Sequence, residues 1–232
     1  MGSSRFPGKV MMDLLGEPML VRDINRLQRA KTLSEIVVAT TIEPADDVIQ
    51  QLCGQRHWAW FRGSEQDVLD RYYKAARAYR ADIVVRITSD CPLIEPAVVD
   101  QVVSHFFTNS DRLDYVSNRM PRPTFPVGLD TEVFSFQALQ QAWQKDDNPA
   151  WREHVTPFMY MNPSMFRVEG ITNEVDASYM RWTVDTSEDM EFVRKIYDHF
   201  GSDDFSWTDV LFVLERHPEW LEINRHIVQK SI

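Results

Sequence analysis

The stretch Ile83-Val84-Val85-Arg86-Ile87-Thr88-Ser89-Asp90-Cys91-Pro92-Leu93-Ile94-Glu95-Pro96 decides the fold. Five residues, four of them branched and apolar, read as a buried strand, a short polar loop follows, and Pro96 opens a helix carrying Val98, Val99, Val102, Val103 and Phe106 at helical spacing. Upstream the two periods keep alternating. Residues 64–76 predict a helix with Val68, Leu69, Tyr72, Tyr73 and Ala76 on its apolar stripe, with Ser64 as cap and Asp67 as the acidic half of a capping box. Residues 58–61 read as a strand, 44–55 as a helix, 36–39 as a strand, and 18–30 as a helix with Leu20, Ile24 and Leu27 on one face. Short connections between alternating helices and strands are the mark of right-handed βαβ units, so residues 1–232 are expected to form one α/β domain around a mostly parallel sheet.

Downstream the pattern is less regular. Residues 114–118 and 131–136 read as strands flanking a loop with Pro121, Pro123, Pro126 and Gly128, and that loop is expected to be functional rather than a linker. Residues 180–184 read as a last strand, and 188–200 and 207–216 as closing helices.

Composition narrows the function. The chain has 232 residues, 44% hydrophobic and 26% charged, with a net charge of −10. That charge disfavours nucleic acid and anionic membranes as partners, because both need a positive field, yet it permits a small local anion site. Two cysteines, Cys53 and Cys91, make neither a disulfide framework nor a four-ligand zinc set. No apolar run reaches the roughly 20 residues of a membrane span and no signal-peptide pattern opens the chain, so a cytoplasmic protein is expected. The six histidines form no His-x-x-x-His pair, and there is no Gly-x-Ser-x-Gly elbow, which argues against zinc hydrolysis and a serine triad. Trp58, Trp60, Trp143 and Trp151 suit core or dimer contacts better than a stacking platform, and Cys91 suits apolar packing.

The first residues carry the strongest chemical signal. Gly2-Ser3-Ser4-Arg5-Phe6-Pro7-Gly8-Lys9 combines small residues, whose backbone N–H groups can converge on an anion, with two cations. By themselves these residues fit a solvated N-terminus equally well. They are not a Walker A loop, because five residues separate Gly2 from Gly8 and Val10 stands where a magnesium-binding Ser or Thr belongs. Phe6 excludes a myristoylation signal. Asp90 follows a strand at the carboxyl edge, where open α/β sheets place ligands, and Asp185 follows residues 181–184 in the same way. Each alone could simply cap the next helix.

Gly2 to Lys9 resembles the triphosphate-binding signature of cytidylyltransferases that activate acidic sugars, such as acylneuraminate and 3-deoxy-manno-octulosonate cytidylyltransferases, with the spore coat polysaccharide biosynthesis protein F group the most alike. Further motifs carry the likeness along nearly the whole chain: Phe61-Arg62-Gly63-Ser64 through Tyr72, Arg86-Ile87-Thr88-Ser89-Asp90-Cys91-Pro92, Gly128-Leu129-Asp130-Thr131-Glu132, Arg152-Glu153-His154-Val155-Thr156 and Arg181-Trp182-Thr183-Val184-Asp185-Thr186. The resemblance implies a Rossmann-like nucleotide-diphospho-sugar transferase fold with a mixed, mostly parallel sheet. It implies transfer of CMP from CTP to a sugar hydroxyl, with pyrophosphate leaving, for surface polysaccharide or glycan synthesis. Mg2+ would sit on Asp90 and Asp185, and two hard oxygen ligands completed by phosphates and water are how magnesium is usually held. Arg5 and Lys9 would face the triphosphate, and the Gly2, Ser3 and Ser4 amides would cradle it. Arg62, Ser64, Asp67, Arg71 and Thr88 fall at nucleotide-binding positions, although Ser64 and Asp67 serve equally as helix caps. Related enzymes often carry a base-reading Gln where Thr88 stands, which leaves UTP or GTP open as alternatives to CTP. Arg122, Asp130, Glu132, Arg152 and His154 are candidate sugar contacts, and arginine suits a carboxylate by bidentate pairing. A homodimer is the family's expected state.

One departure matters. Family members open with a strand of about five residues, Ile-Ile-Gln-Ala-Arg in character, whereas this sequence starts inside the signature. The resemblance therefore implies a sheet lacking its first, central strand, whose neighbours carry unpaired backbone groups at about 1–3 kcal/mol each. A late start site, a degraded paralogue, or neighbouring strands that close the gap would each account for it, and the chain as given is expected to show reduced stability and weak or absent catalysis.

Overall fold

The computed structural model describes residues 1–3 and 5–229. Its first strands form a minimal hairpin, β1 (Asp13–Leu14) and β2 (Glu17–Pro18), turned by Leu15 and Gly16. Pro18 leads straight into α1 (Met19–Leu27), which buries Leu20, Ile24 and Leu27 as their spacing predicts. A βαβ unit follows: β3 (Val37–Thr41), α2 (Asp47–Arg56) and β4 (Ala59–Gly63). β3 and β4 pair in parallel from Val37↔Ala59 to Thr41↔Gly63. Next come α3 (Val68–Ala78), β5 (Ile83–Arg86) and α4 (Pro96–Thr108), the last with its proline in the first turn and the Glu95 carboxylate accepting the Ala97 N–H.

The second half contains β6 (Tyr115–Ser117), β7 (Glu132–Ser135), α5 (Phe136–Lys145), α6 (Pro149–His154), α7 (Pro157–Tyr160) and β8 (Val168–Gly170), then α8 (Ser187–Phe200) and α9 (Trp207–Arg216). Its four-stranded sheet runs β5-β7-β6-β8. β7 is antiparallel to both β5 and β6, and β8 is parallel to β6, so the sheet is mixed.

Alternate side chains of these strands enter two cores. Ile83, Val85, Val116 and Val133 pack into one, with α1, α2, α4, α8 and α9. Val84, Tyr115 and Phe134 pack into the other, with α3, α5 and α7. Two helical layers thus sandwich the strands.

Between β3 and β5 the strand layer is open. Among the described residues β3 pairs only with β4 and β5 only with β7, which leaves one edge of each unpaired. These edges face one another across a slot of about 660 Å³ lined by Ile36, Val38 and Ala39 on one side and Ile83, Val85 and Ile87 on the other. Of the three accounts of the first strand, closure of the gap by its neighbours is not what the fold shows.

Two local expectations need correction. The cap of α3 is Asp67, whose carboxylate accepts the Asp70 N–H, while Ser64 Oγ accepts the Asp67 N–H one turn earlier, so the pair makes no reciprocal box. Residues 180–184 form no strand. They hold a single bridge, Val127↔Arg181, and the Val184 N–H turns instead to the Asp90 carbonyl at 2.8 Å. Gly128 permits this close passage: a Cβ there would lie 2.7 Å from the Thr183 nitrogen, and its φ is +110°.

Candidate active site

Asp90 and Asp185, 95 positions apart in sequence, are brought together by backbone before any side chain acts. The Asp90 carbonyl accepts both the Val184 N–H and, at 3.1 Å, the Thr183 hydroxyl, which ties the loop after β5 to the segment before α8. Asp185 sits immediately ahead of Thr186, the N-cap of α8, in a capping box with Asp189. The Asp189 carboxylate, fully buried, accepts the N–H groups of Asp185 and Thr186, the Arg181 guanidinium and the Asn224 amide. That anchor fixes where Asp185 points.

Lys9 enters from the N-terminal loop. Gly8, with φ +73°, turns the chain into a short 3-10 helix that begins at Lys9. The ammonium donates to Asp90 Oδ2 and Asp185 Oδ1, each at 2.9 Å, and to the Val184 carbonyl at 2.6 Å. Arg5 and Arg181 both reach Asp185 Oδ2 at 2.8 Å. Thr88 donates its hydroxyl to Asp90 Oδ1 at 2.6 Å. Three cations (Arg5, Lys9, Arg181) therefore face three carboxylates (Asp90, Asp185, Asp189) in a largely buried cluster.

Burial pushes the Lys9 ammonium toward neutrality, but Asp90 and Asp185 outweigh it and hold its pKa above the ordinary lysine value. Burial likewise opposes ionisation of Asp185, and the hydrogen bond and charge of Lys9, with Arg181 and Arg5, bring its pKa below the usual carboxylate value. Lys9 and Asp185 thus each hold the other in its charged form.

A second buried cluster lies in the four-stranded sheet. Glu132 accepts the Tyr115 hydroxyl at 2.7 Å, the Thr156 hydroxyl at 2.6 Å and the Arg86 guanidinium. Burial opposes its charge and Arg86 overcomes it, leaving Glu132 below its ordinary pKa. His154 is half-buried, and burial lowers its pKa. Asp130 meets Arg119 at 3.2 Å, and burial raises its carboxyl pKa. Arg122 stands exposed on the proline-rich loop.

Other sequence-predicted residues are engaged elsewhere. Arg62 donates to the Thr41 and Glu43 carbonyls, Asp47 and Gln50. Arg152 grips Asp67 Oδ2 with two nitrogens at 3.0 and 2.8 Å and reaches the Trp143 and Asp146 carbonyls. Arg71 donates to the Ser64 carbonyl and, like Thr88, lines the slot. Ser3 Oγ accepts the Phe6 N–H, Gly2 lies against the Glu65 carboxylate, and Ser4 falls outside the described residues.

Sequence reading passed over Arg181 as a charge partner and Asp189 as an anchor. Their signal was present: Arg181, Asp185 and Asp189 recur every four residues, and Thr186 with Asp189 has capping-box spacing. It also passes over Asp23, which is buried on α1 beside the slot with neither carboxylate oxygen hydrogen-bonded to any of the described residues. Burial first, and the charge of Asp90 second, push that carboxyl group's pKa well up.

The donor set suits one kind of metal. Among the described residues no group of three or more His, Cys, Asp or Glu could cage an ion. Asp90 and Asp185 instead present hard oxygens around one point, which fits magnesium, since that ion keeps several waters and takes one or two carboxylates plus substrate phosphates.

Paired carboxylates at the carboxyl edge of an α/β sheet stand where this architecture places its ligands. The chain belongs to the cytidylyltransferase family, whose model matches residues 1–216. It is 29% identical to the spore coat polysaccharide biosynthesis protein SpsF of Bacillus subtilis over 94% of this chain and 92% of that one. It is 38% identical to a 3-deoxy-manno-octulosonate cytidylyltransferase of Trichlorobacter lovleyi over 47% of this chain and 42% of that one. A cytidylyltransferase structure from Leptospira borgpetersenii superposes with a TM-score of 0.91 at 33% identity, covering 100% of this chain and 95% of that one. No helix among the described residues is long and apolar enough to cross a membrane.

Proposed function

We propose that the protein transfers CMP from CTP to a hydroxyl of an acidic or modified sugar, releasing pyrophosphate, in the making of a surface polysaccharide or glycan. The observation that carries this reading is the convergence of Asp90 and Asp185 on Lys9, with Arg5 alongside, at the carboxyl edge of the strands. Family membership and the names of the SpsF and octulosonate relatives support the substrate class.

In this reading Asp90 and Asp185 would hold Mg2+, which would supply neutralisation of phosphate charge. Arg5 and Lys9 place positive charge against the triphosphate, and the Gly2 and Ser3 backbone amides add donors. Thr88 orients Asp90 through its hydroxyl. Arg181 and Asp189 hold Asp185 in line. No covalent nucleophile is required, so positioning and electrostatics supply the rate enhancement. Asp130, Arg122 and His154 are the proposed sugar contacts, while Glu132 shapes that side from within the sheet.

Because the Thr88 hydroxyl is committed to Asp90, the base must be read elsewhere, and UTP or GTP is the second reading. Calorimetric titration with CTP, UTP and GTP, with and without magnesium, tests both, alongside a pyrophosphate-release assay with acidic sugars. Magnesium-dependent preference for CTP supports the first reading. Preference for another base supports the second, and a folded chain that binds no nucleotide overturns both.

A further inference from the structure

Beyond α9 the chain lays a strap along α8. After His217 a short 3-10 turn, Pro218–Glu222, packs Trp220 and Leu221 against the core, with the Trp220 ring stacked on the His217 ring at 4.5 Å. The same tryptophan meets Lys195 and His199 in the last turns of α8. Asn224 then meets Asp189 in the first turn of that helix, and Gln229 accepts from Arg181 ahead of it. Successive residues of the strap thus sit ever closer to Asp185, although the family model matches only residues 1–216.

Apolar packing accounts for Trp220 and Leu221 but not for Asn224. That residue is 2% exposed, and its amide nitrogen donates to the Arg181 carbonyl at 2.9 Å and to Asp189 Oδ1 at 3.0 Å. A carbonyl and a carboxylate only accept, so the position requires a donor and not merely a polar group of that shape. Asp189 Oδ1 also takes Arg181 Nε, while Oδ2 takes the Asp185 and Thr186 N–H groups together with Arg181 Nη2. One buried carboxylate is therefore held on one side by the strap and holds the backbone of Asp185 on the other. Arg181 closes the circuit, its guanidinium spanning Asp189, Asp185 Oδ2 and Gln229.

We propose that Asn224 is a positioning residue for Asp185, acting through Asp189 and Arg181, and that order in the strap is thereby coupled to a divalent cation at Asp90 and Asp185. The coupling rests on the reading of those two carboxylates as metal ligands, whereas the positioning does not. Groups that hold a ligating carboxylate in place set metal affinity although they never touch the ion. The linkage is reciprocal: an ion that fixes Asp185 also fixes the strap.

The test uses the full chain with Asn224→Asp, with Asn224→Ala and, as a control for lost stability, with Leu139→Ala in the other core. Hydrogen exchange of the Asp185 and Thr186 amides without metal, Mn2+ affinity without nucleotide, and the denaturant midpoint are read in each. Asn224→Asp keeps the shape but turns an acceptor toward Asp189. It is expected to quicken exchange at both amides about tenfold and to weaken Mn2+ binding about tenfold, with Asn224→Ala doing the same to a smaller degree. Leu139→Ala is expected to lower the midpoint and leave Mn2+ affinity as it was. In wild type, Mn2+ should slow exchange of the Ile227 amide, which donates to the Asn224 carbonyl at 3.0 Å. Unchanged exchange in both Asn224 variants, or a gain no greater than in Leu139→Ala, overturns the positioning role. Quickened amides with unchanged Mn2+ affinity overturn the coupling. A wild type that binds no Mn2+ while the amides still quicken counts against the metal reading of Asp90 and Asp185 and upholds the positioning role.

Discussion

Asp185 and Asp23 are both buried, and both feel the charge of Lys9, yet they have opposite fates. Asp185 is met by Lys9, Arg5 and Arg181 and held ionised. Asp23 meets no donor among the described residues and is pushed toward the neutral acid. One region of the molecule is therefore complete: the polar lattice at the carboxyl edge pairs every charge it buries. The other, the apolar slot beneath it, leaves a carboxylate and two strand edges unanswered. The chemical end of the protein is preorganised while the middle of its sheet stays open, and the two can be perturbed separately.

The largest effect is expected at Asp185. Asp185→Asn leaves Arg5, Lys9 and Arg181 without their shared carboxylate, and breaking a buried pair of this kind costs about 3–5 kcal/mol. Pyrophosphate release should fall by about 10³-fold, the scale of losing a preorganised electrostatic group. Because the folded pKa of Asp185 is depressed, its contribution is present above the unfolded value of about 3.9 and lost as pH falls through the folded one. Denaturant titrations of wild type and variant should differ fully at pH 7 and draw together below about pH 4. A constant gap would show that the carboxylate's charge is not what the lattice uses.

Lys9→Met probes the same lattice from the cationic side. With the ammonium gone from between Asp90 and Asp185, Mn2+ binding without nucleotide should tighten about tenfold, equivalent to 1.4 kcal/mol, whereas nucleotide affinity should weaken. Manganese affinity unchanged or lower in the variant would mean that Lys9 does not compete for these carboxylates.

The opposite sign is expected in the slot. Asp23→Asn removes an acid whose raised pKa makes the folded state lose stability as pH climbs above about 3.9 toward the folded value. The variant should match wild type near pH 4 and exceed it by about 1–3 kcal/mol at pH 7, the cost of a buried unsatisfied group. A variant less stable than wild type at pH 7 would show that Asp23 has a partner in solution, and the contrast with Asp185 would collapse.

Much of this was legible before any coordinates, and the reason is local. Ile83 to Arg86, the Pro96 helix and the 207–216 helix announce themselves by period and capping alone, and α9 matches its expected bounds. The convergence of residues 9, 90 and 185 was legible only through resemblance, because nothing in spacing says that the Val184 N–H will seek the Asp90 carbonyl. The three-residue β8 was illegible: Val168-Glu169-Gly170 carries too few side chains to show a period, and its place beside β6 is set by packing. The helix α5 could have been found, since Ser135 caps it and Phe136, Leu139, Ala142 and Trp143 recur at helical spacing. Charge partners were hardest, because an arginine near an acidic residue is common and only geometry distinguishes a tie from a ligand.

Arg152 shows that distinction at the smallest scale. Its motif made it a candidate for a sugar carboxylate, but its guanidinium holds Asp67, the cap of α3, and two carbonyls around α5. Lysine offers a point charge in place of this planar fork and cannot reach all three acceptors. Arg152→Lys should therefore lower stability by about 1 kcal/mol, seen as a shifted denaturant midpoint with unchanged slope, and leave the KM for sugar as it was. A raised KM with an unchanged midpoint would move Arg152 from the scaffold to the substrate, and with it the line between what holds this site and what the site holds.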